Sequence, residues 1–295
     1  MEKISYAQML PHEIVSRRQQ FPAAFVGLGA LEWHGEHQAV GLDVLKADKL
    51  CQLAAERSGG FVFPPLSYGE PRVFRLMDFS FDEGGGIKSK MGFNPVKFAD
   101  SYYGKTGQEQ VEFYQALLYH MLIQINTLEM KAVCLCCGHG PLLDFAQPVV
   151  DRFNATFSDM RAFAGTESVY APEERSQEPQ AAKEEKYYPA PTKAQGGAED
   201  SDTREIWYRK DVGEDHAGKW ETSYLMHLYP ECVNMGAYRE GEPLTGIMGI
   251  DPATQASAEI GGRGCNLIVE GMVRKAKQLL DEVNPSISVP GGPSR

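Results

Sequence analysis

The 295-residue chain is predicted to fold as an α/β domain on a mainly parallel sheet, with its site at the C-terminal edge of the strands. Three observations carry this. Two uninterrupted apolar runs, Ala23-Ala24-Phe25-Val26-Gly27-Leu28-Gly29 and Ala132-Val133-Cys134-Leu135-Cys136-Cys137, have the pattern of strands buried on both faces. Helical spacing lies between and after them. Each run is followed at once by ionisable residues: Glu32-Trp33-His34-Gly35-Glu36-His37 and Asp43 after the first, Gly138-His139-Gly140 after the second.

After the first strand, residues 44–58 have helical spacing through Leu45, Ala47, Leu50, Leu53 and Ala54, and stop before Gly59-Gly60. Phe61-Val62-Phe63-Pro64-Pro65-Leu66 reads as a short strand entering the loop Ser67-Tyr68-Gly69-Glu70. Residues 70–106 are irregular, with Gly84-Gly85-Gly86 and several aromatics, and are expected to be a functional loop or arm rather than core. Residues 107–127 carry a long amphipathic helix through Val111, Tyr114, Leu117, Met121, Leu122 and Ile125. Residues 172–203 break in composition, with many Glu and Lys giving way to Pro and Gly, and are expected to be a solvated excursion or lid. The last strong helix is predicted over about 254–283, and a loose tail follows from about 285. There is no internal repeat. One domain over residues 1–295 with two insertions, 70–106 and 172–203, is the expectation.

The formal net charge of -11 argues against a nucleic-acid binder, which needs clustered Lys and Arg. The lack of a basic run argues against an anionic membrane surface. No stretch approaches the roughly 20 apolar residues that span a bilayer, and Met1-Glu2-Lys3-Ile4-Ser5-Tyr6 has no signal-peptide core, so a cytoplasmic location is expected. Of six cysteines, Cys134, Cys136 and Cys137 crowd one predicted strand and should act as small apolar residues.

The segment from Glu32 to Asp43 gathers carboxylates and imidazoles beside a buried strand, where unpaired charge is costly and a divalent metal is the usual remedy. On an extended chain Glu32 and His34 point to one side and Trp33 to the other. Asp43 can return to the same cavity across the turn at Gly41. His139, between two glycines at a strand end, is a ligand candidate. His37 is expected behind the ligands rather than on the metal. His216, in His216-Ala217-Gly218-Lys219-Trp220-Glu221-Thr222-Ser223, can shuttle a proton near neutral pH. Glu221 opens a predicted helix, where a carboxylate is favoured by the helix N-terminus or by a metal.

Other patterns are excluded or weak. Gly27-Leu28-Gly29-Ala30-Leu31-Glu32 has Glu where a dinucleotide fingerprint needs its third small residue. Gly84-Gly85-Gly86 lacks the Lys-Ser/Thr of a phosphate loop, and no G-x-S-x-G elbow is present. Cys136 or Cys137 beside His139 is the one thiol-nucleophile alternative.

Four segments in order resemble the creatininase (creatinine amidohydrolase) family: Gly29-Ala30-Leu31-Glu32-Trp33-His34-Gly35-Glu36-His37 with Gly41-Leu42-Asp43, then Gly138-His139-Gly140, then His216 to Ser223, then Gly249-Ile250-Asp251-Pro252-Ala253-Thr254 with Ala256-Ser257-Ala258-Glu259. The resemblance implies a three-layer α/β/α fold, two divalent ions (zinc or manganese, iron in some relatives), and a homo-oligomer, often a hexamer. Carried over, Glu32 and His139 ligate one ion, His34 the other, Asp43 bridges them, and His216 is the acid/base. Creatininase itself has a metal-binding Glu two positions after the motif histidine, where this chain has Pro141. Glu221 is the expected replacement. The chain thus resembles a subgroup with a Gly-His-Gly-type segment, for which creatinine is not the expected substrate.

The expected activity is that of a dinuclear-metal hydrolase. A metal-bound hydroxide attacks the carbonyl of a small, polar, cyclic substrate, and a C–N bond breaks. Tyr68, Arg72 and Trp220 are placed as substrate contacts. Two alternatives stand beside it: ring-opening C–C hydrolysis of a cyclic polyol ketone such as 3-dehydro-scyllo-inosose in inositol catabolism, and a non-catalytic metal- or ligand-binding relative.

Overall fold

Strands β1 (Ala23–Leu28), β2 (Phe61–Leu66), β3 (Ala132–Cys137) and β4 (Arg161–Gly165) form a parallel sheet of order β2-β1-β3-β4 in the computed structural model of the chain. The structure describes residues 3–72, 74–80, 82, 86–98, 102, 106–171, 187–188, 215–238 and 245–283. The main helices are α1 (Pro11–Gln20), α2 (Leu42–Ser58), α3 (Gly107–Thr127), α4 (Leu142–Thr156), α5 (Lys219–Leu228) and α6 (Ala258–Val283).

Strand alternation sorts the core into two layers. Ala23, Phe25, Cys134 and Cys136 face α2, α5 and α6, where they meet Leu50, Ala54, Tyr224, Ile268 and Met272. Ala24, Val26, Leu28, Val133, Leu135 and Cys137 face α3 and α4, where they meet Leu118, Leu122, Val150 and Phe153. This is the three-layer α/β/α arrangement expected. β1 and β3 are buried at every position because each has neighbours on both sides and both faces. β2 lies at the edge of the sheet, which is where Pro64 and Pro65 cost least.

Several boundaries differ from the expectation. α2 begins at Leu42, so Asp43 lies in its first turn rather than in the preceding loop. The last predicted helix is divided at Ala256-Ser257 into a turn, Pro252–Gln255, and α6. Ser257 makes the break: its N–H donates to Ser223 Oγ, and its own Oγ accepts from Ile260 N–H. The stretch 70–106 is not only an arm. Its short helices Met77–Ser80 and Gly86–Lys90 bury Met77 and Ile87 against Trp33 and Met248, forming a small core of their own.

Of the second expected insertion, only Tyr187–Tyr188 is among the described residues, as a two-residue strand antiparallel to Gly249–Ile250. The expected tail from 285 lies outside them. The six cysteines are free thiols. No helix among the described residues is long and apolar enough to cross a membrane.

Candidate metal centre

The C-terminal ends of β1 and β3 sit side by side over the start of α2. Gly138 makes this approach possible. A Cβ there would lie 2.0 Å from the Asp43 carbonyl oxygen, so only bare backbone lets the end of β3 abut the first turn of α2. The consequence is that Asp43 stands between the residues following β1 and the residue following β3.

Each oxygen of Asp43 serves a different histidine. Oδ1 lies 3.2 Å from His34 Nε2, and Oδ2 lies 3.4 Å from His139 Nδ1. Glu32 Oε2 is 2.9 Å from His139 Nδ1, and Glu221 Oε2 is 3.7 Å from His34 Nε2. Two candidate ligand groups follow, Glu32/Asp43/His139 and His34/Asp43/Glu221, sharing Asp43. Within each, one donor atom per residue lies within 4.8 Å of the others. Glu32, His34 and His216 form a third such group.

Both histidines are oriented by their other nitrogen. His34 Nδ1 lies 3.1 Å from the Glu32 carbonyl oxygen, to which its N–H donates, so Nε2 is the nitrogen turned toward Asp43 and Glu221. His139 Nε2 lies 2.8 Å from Glu70 Oε2, leaving Nδ1 turned to Glu32 and Asp43. Glu70 is in turn held by Arg75, which also pairs with Asp144 and donates to the Pro141 carbonyl. Glu32 Oε1 accepts from Met77 N–H, so the 70–106 stretch also sets the first ligand.

The donor set fits divalent cations. Glu32 Oε2, His34 Nε2 and Asp43 Oδ2 are fully buried and make no hydrogen bond, although each has a partner atom nearby. Buried polar atoms normally find partners. Here the candidate donor atoms converge on common space. The electrostatics agree. Burial favours a neutral His34 ring, yet Asp43, then Glu221 and Glu32, raise it to about 9. His139 is likewise pushed well up, its burial outweighed by Glu32, Asp43 and Glu70. Burial raises Glu221, but Lys46 and His34 outweigh it and hold the carboxyl at about 2. The carboxylates therefore favour positive charge at the centre of the site.

His216 is held by a short bridge between its backbone and Met248. Its Nε2 lies 2.8 Å from the Trp33 carbonyl oxygen, and its Nδ1 is 3.8 Å from Glu32 Oε1. Its ring stacks on His34 with centroids 4.4 Å apart. Burial and the His34 charge lower its pKa, while Glu32 and Glu221 oppose. Ala217 follows with φ of 55°, a left-handed conformation costly for a residue with a Cβ. It aims the Ala217 N–H at Glu221 Oε2, 2.8 Å away. Glu221 thus lies in the first turn of α5, with Oε2 facing both the Ala217 N–H and His34.

His37 lies behind the site, buried, with Nε2 3.0 Å from Thr222 Oγ1 and outside all three ligand groups. Burial and the nearby His34 charge lower its pKa to about 4. The three expected substrate contacts do not line the cavity of about 160 Å³ at the site. Tyr68 is 86% exposed. Arg72 is committed to Asp78 and to the Leu31 carbonyl. Trp220 is one residue from Glu221, so about 100° around the helix; it points into the core. The thiol alternative has no support: Cys136 and Cys137 are fully buried, and burial pushes the Cys137 thiol well up.

Residues not singled out from sequence also meet here. Arg75, Met77, Asp215 and Met248 line the cavity. Glu70 immediately follows the β2 loop, so the strand-edge logic that found His139 could have found it.

A family model described as Creatininase: Creatinine amidohydrolase matches residues 7–78 and 103–276. The chain belongs to the creatininase family. The unmatched residues 79–102 fall inside the first expected insertion. A creatinine amidohydrolase of Pseudomonas putida is 48% identical over 42 residues, a stretch covering 14% of this chain and 16% of that relative. A solved structure of creatinine amidohydrolase (creatininase) superposes with a TM-score of 0.60 at 18% identity, covering 94% of this chain and 98% of that one. A structure titled creatininase Mn gives 0.59 at 17%, covering 96% and 100%. A mutant creatininase of Zn-Zn type gives 0.59 at 18%, covering 97% and 100%. At such identities the structural likeness establishes the creatininase fold.

Proposed function

We propose that this creatininase-family protein is a dinuclear-metal hydrolase that cleaves a C–N bond next to a carbonyl in a small polar substrate. The observation that carries the reading is Asp43, whose two oxygens face two oriented histidines, each with a further carboxylate beside it. Glu32, Asp43 and His139 would hold one ion, and His34, Asp43 and Glu221 the other. Zinc and manganese are the ions proposed, in keeping with the Zn-Zn and Mn creatininases of the same fold. Such ions supply Lewis acidity and ease the ionisation of water.

The chain's own groups handle the proton. With Nε2–H donated to the Trp33 carbonyl, His216 has Nδ1 available toward Glu32 and the cavity. Burial favours the neutral ring, so Nδ1 accepts a proton from the attacking water and returns it to the departing nitrogen. Met77, Met248 and Pro141 give the cavity apolar wall, which limits competing water. The small volume suits a compact substrate.

The test is an assay of chelator-treated protein, reloaded with zinc or manganese, against cyclic amides, formamides and inososes, read by mass spectrometry. Metal-dependent release of an amine or ammonia supports the proposal. Ring opening of an inosose with no amide turnover replaces it with C–C hydrolysis. No turnover of any carbonyl substrate by protein carrying two ions contradicts it.

A further inference from the structure

We infer that Lys46 is a positioning residue for the second metal group, holding Glu221 so that one of its oxygens stays on His34 and Asp43. The inference rests on the dinuclear reading above. Lys46 is 1% exposed, one of the largest fully buried side chains of the chain. Burying an ammonium is expensive unless anions surround it. Its Nζ lies 2.9 Å from Glu221 Oε1 and 2.7 Å from Glu167 Oε1, with the Tyr224 ring 5.9 Å away. It does not line the cavity, so it is not placed to meet substrate.

The placement divides the work of the Glu221 carboxylate. Oε1 is taken by Lys46, and Oε2 receives the Ala217 N–H and faces His34 Nε2. Both contacts fix the rotation of the carboxylate about its last bond. Lys46 is three positions after Asp43 on α2, hence on the same helix face. Glu221 is on the first turn of α5, and Glu167 begins the short helix Glu167–Tyr170 after β4. One ammonium therefore ties the element carrying Asp43 to the element carrying Glu221.

A purely electrostatic role predicts the opposite sign from a positioning role. Removing a cation near a cation site tightens metal binding. Removing a positioning group weakens it, because Glu221 can then turn away. Lys46→Met alone leaves Glu167 and Glu221 buried without a counter-charge, so the paired variant Lys46→Met/Glu167→Gln is the informative one: it removes one positive and one negative charge together.

The experiment is equilibrium dialysis and calorimetry with zinc on metal-stripped wild type, Lys46→Met, the paired variant and Glu221→Gln, with folding checked by circular dichroism. Wild type is expected to take up two ions. The folded paired variant is expected to bind one ion at wild-type affinity and the other about 10–100-fold more weakly, and Glu221→Gln is expected to weaken that same ion at least as much. Two ions at unchanged or tighter affinity in the paired variant would overturn the role of Lys46 while leaving the dinuclear reading intact, whereas the same result in Glu221→Gln would overturn both the role of Lys46 and the place of Glu221 among the ligands. Fewer than two ions in wild type would overturn both.

Discussion

His139 and Glu70 form a hydrogen-bonded pair, Nε2 to Oε2 at 2.8 Å, in which a carboxylate just beyond the loop after β2 orients an imidazole just past β3. Partners of this kind fix the ring and raise its basicity as a ligand. Glu70→Gln is expected to weaken one of the two ions by about 10–100-fold while leaving the other in place. Metal titration of the stripped variant checks this. Affinities unchanged from wild type for both ions would show that Glu70 serves only Arg75.

Asp43 belongs to both ligand groups, and Glu32 to only one of the two that share it. Asp43→Ala should therefore lose both ions, and Glu32→Ala chiefly the one at His139. Elemental analysis of the two purified variants distinguishes them. Full occupancy in Asp43→Ala would exclude the shared role.

His216→Ala is expected to keep its metal content and lose turnover by about 10²–10⁴-fold, the range of general acid–base catalysis. Metal analysis and steady-state kinetics on the same preparation read both. Loss of an ion would instead place His216 with Glu32 and His34 as a ligand group.

The pH dependence of metal binding has a definite sign. In the metal-free protein the flanking carboxylates hold His34 up at about 9 and His139 well above its ordinary value. Both rings carry a proton at neutral pH and must shed it to ligate. Affinity should rise from about pH 6 to about pH 9, and binding at neutral pH should release protons. Calorimetry in buffers of different ionisation enthalpy measures the release. Binding without proton release would contradict it.

Gly138→Ala forces a Cβ to within 2.0 Å of the Asp43 carbonyl oxygen. Overpacking against backbone should cost about 1–3 kcal/mol or more and displace Asp43 from His139. Urea unfolding of the metal-free variant tests the first part, and metal affinity the second. A variant as stable as wild type would show that β3 and α2 can separate freely.

Much of the site was legible because ionisable residues directly follow apolar runs that only a buried strand explains. Glu32, His34 and His139 meet on those grounds, and Asp43 and Glu221 reach them. What escaped had weaker local signals. β4 runs only from Arg161 to Gly165 and opens on a charge, so no apolar run marked it. α4 carries Pro148 in its interior, which argues locally against a helix. Glu70 follows Gly69 in a segment that reads as loop. Lys46 and Glu221 are 175 positions apart, and nothing local to either announces the pair. Trp220 does not line the cavity for a simple reason: neighbours on a helix face different directions, and Glu221 has the one toward His34 while Trp220 packs in the core.

The most direct test is a crystal structure of the zinc- or manganese-loaded protein with anomalous data collected on either side of the metal edge. Two peaks are predicted per chain, one among Glu32, Asp43 and His139 and the other among His34, Asp43 and Glu221. A single peak, or none between those side chains, would contradict the dinuclear centre.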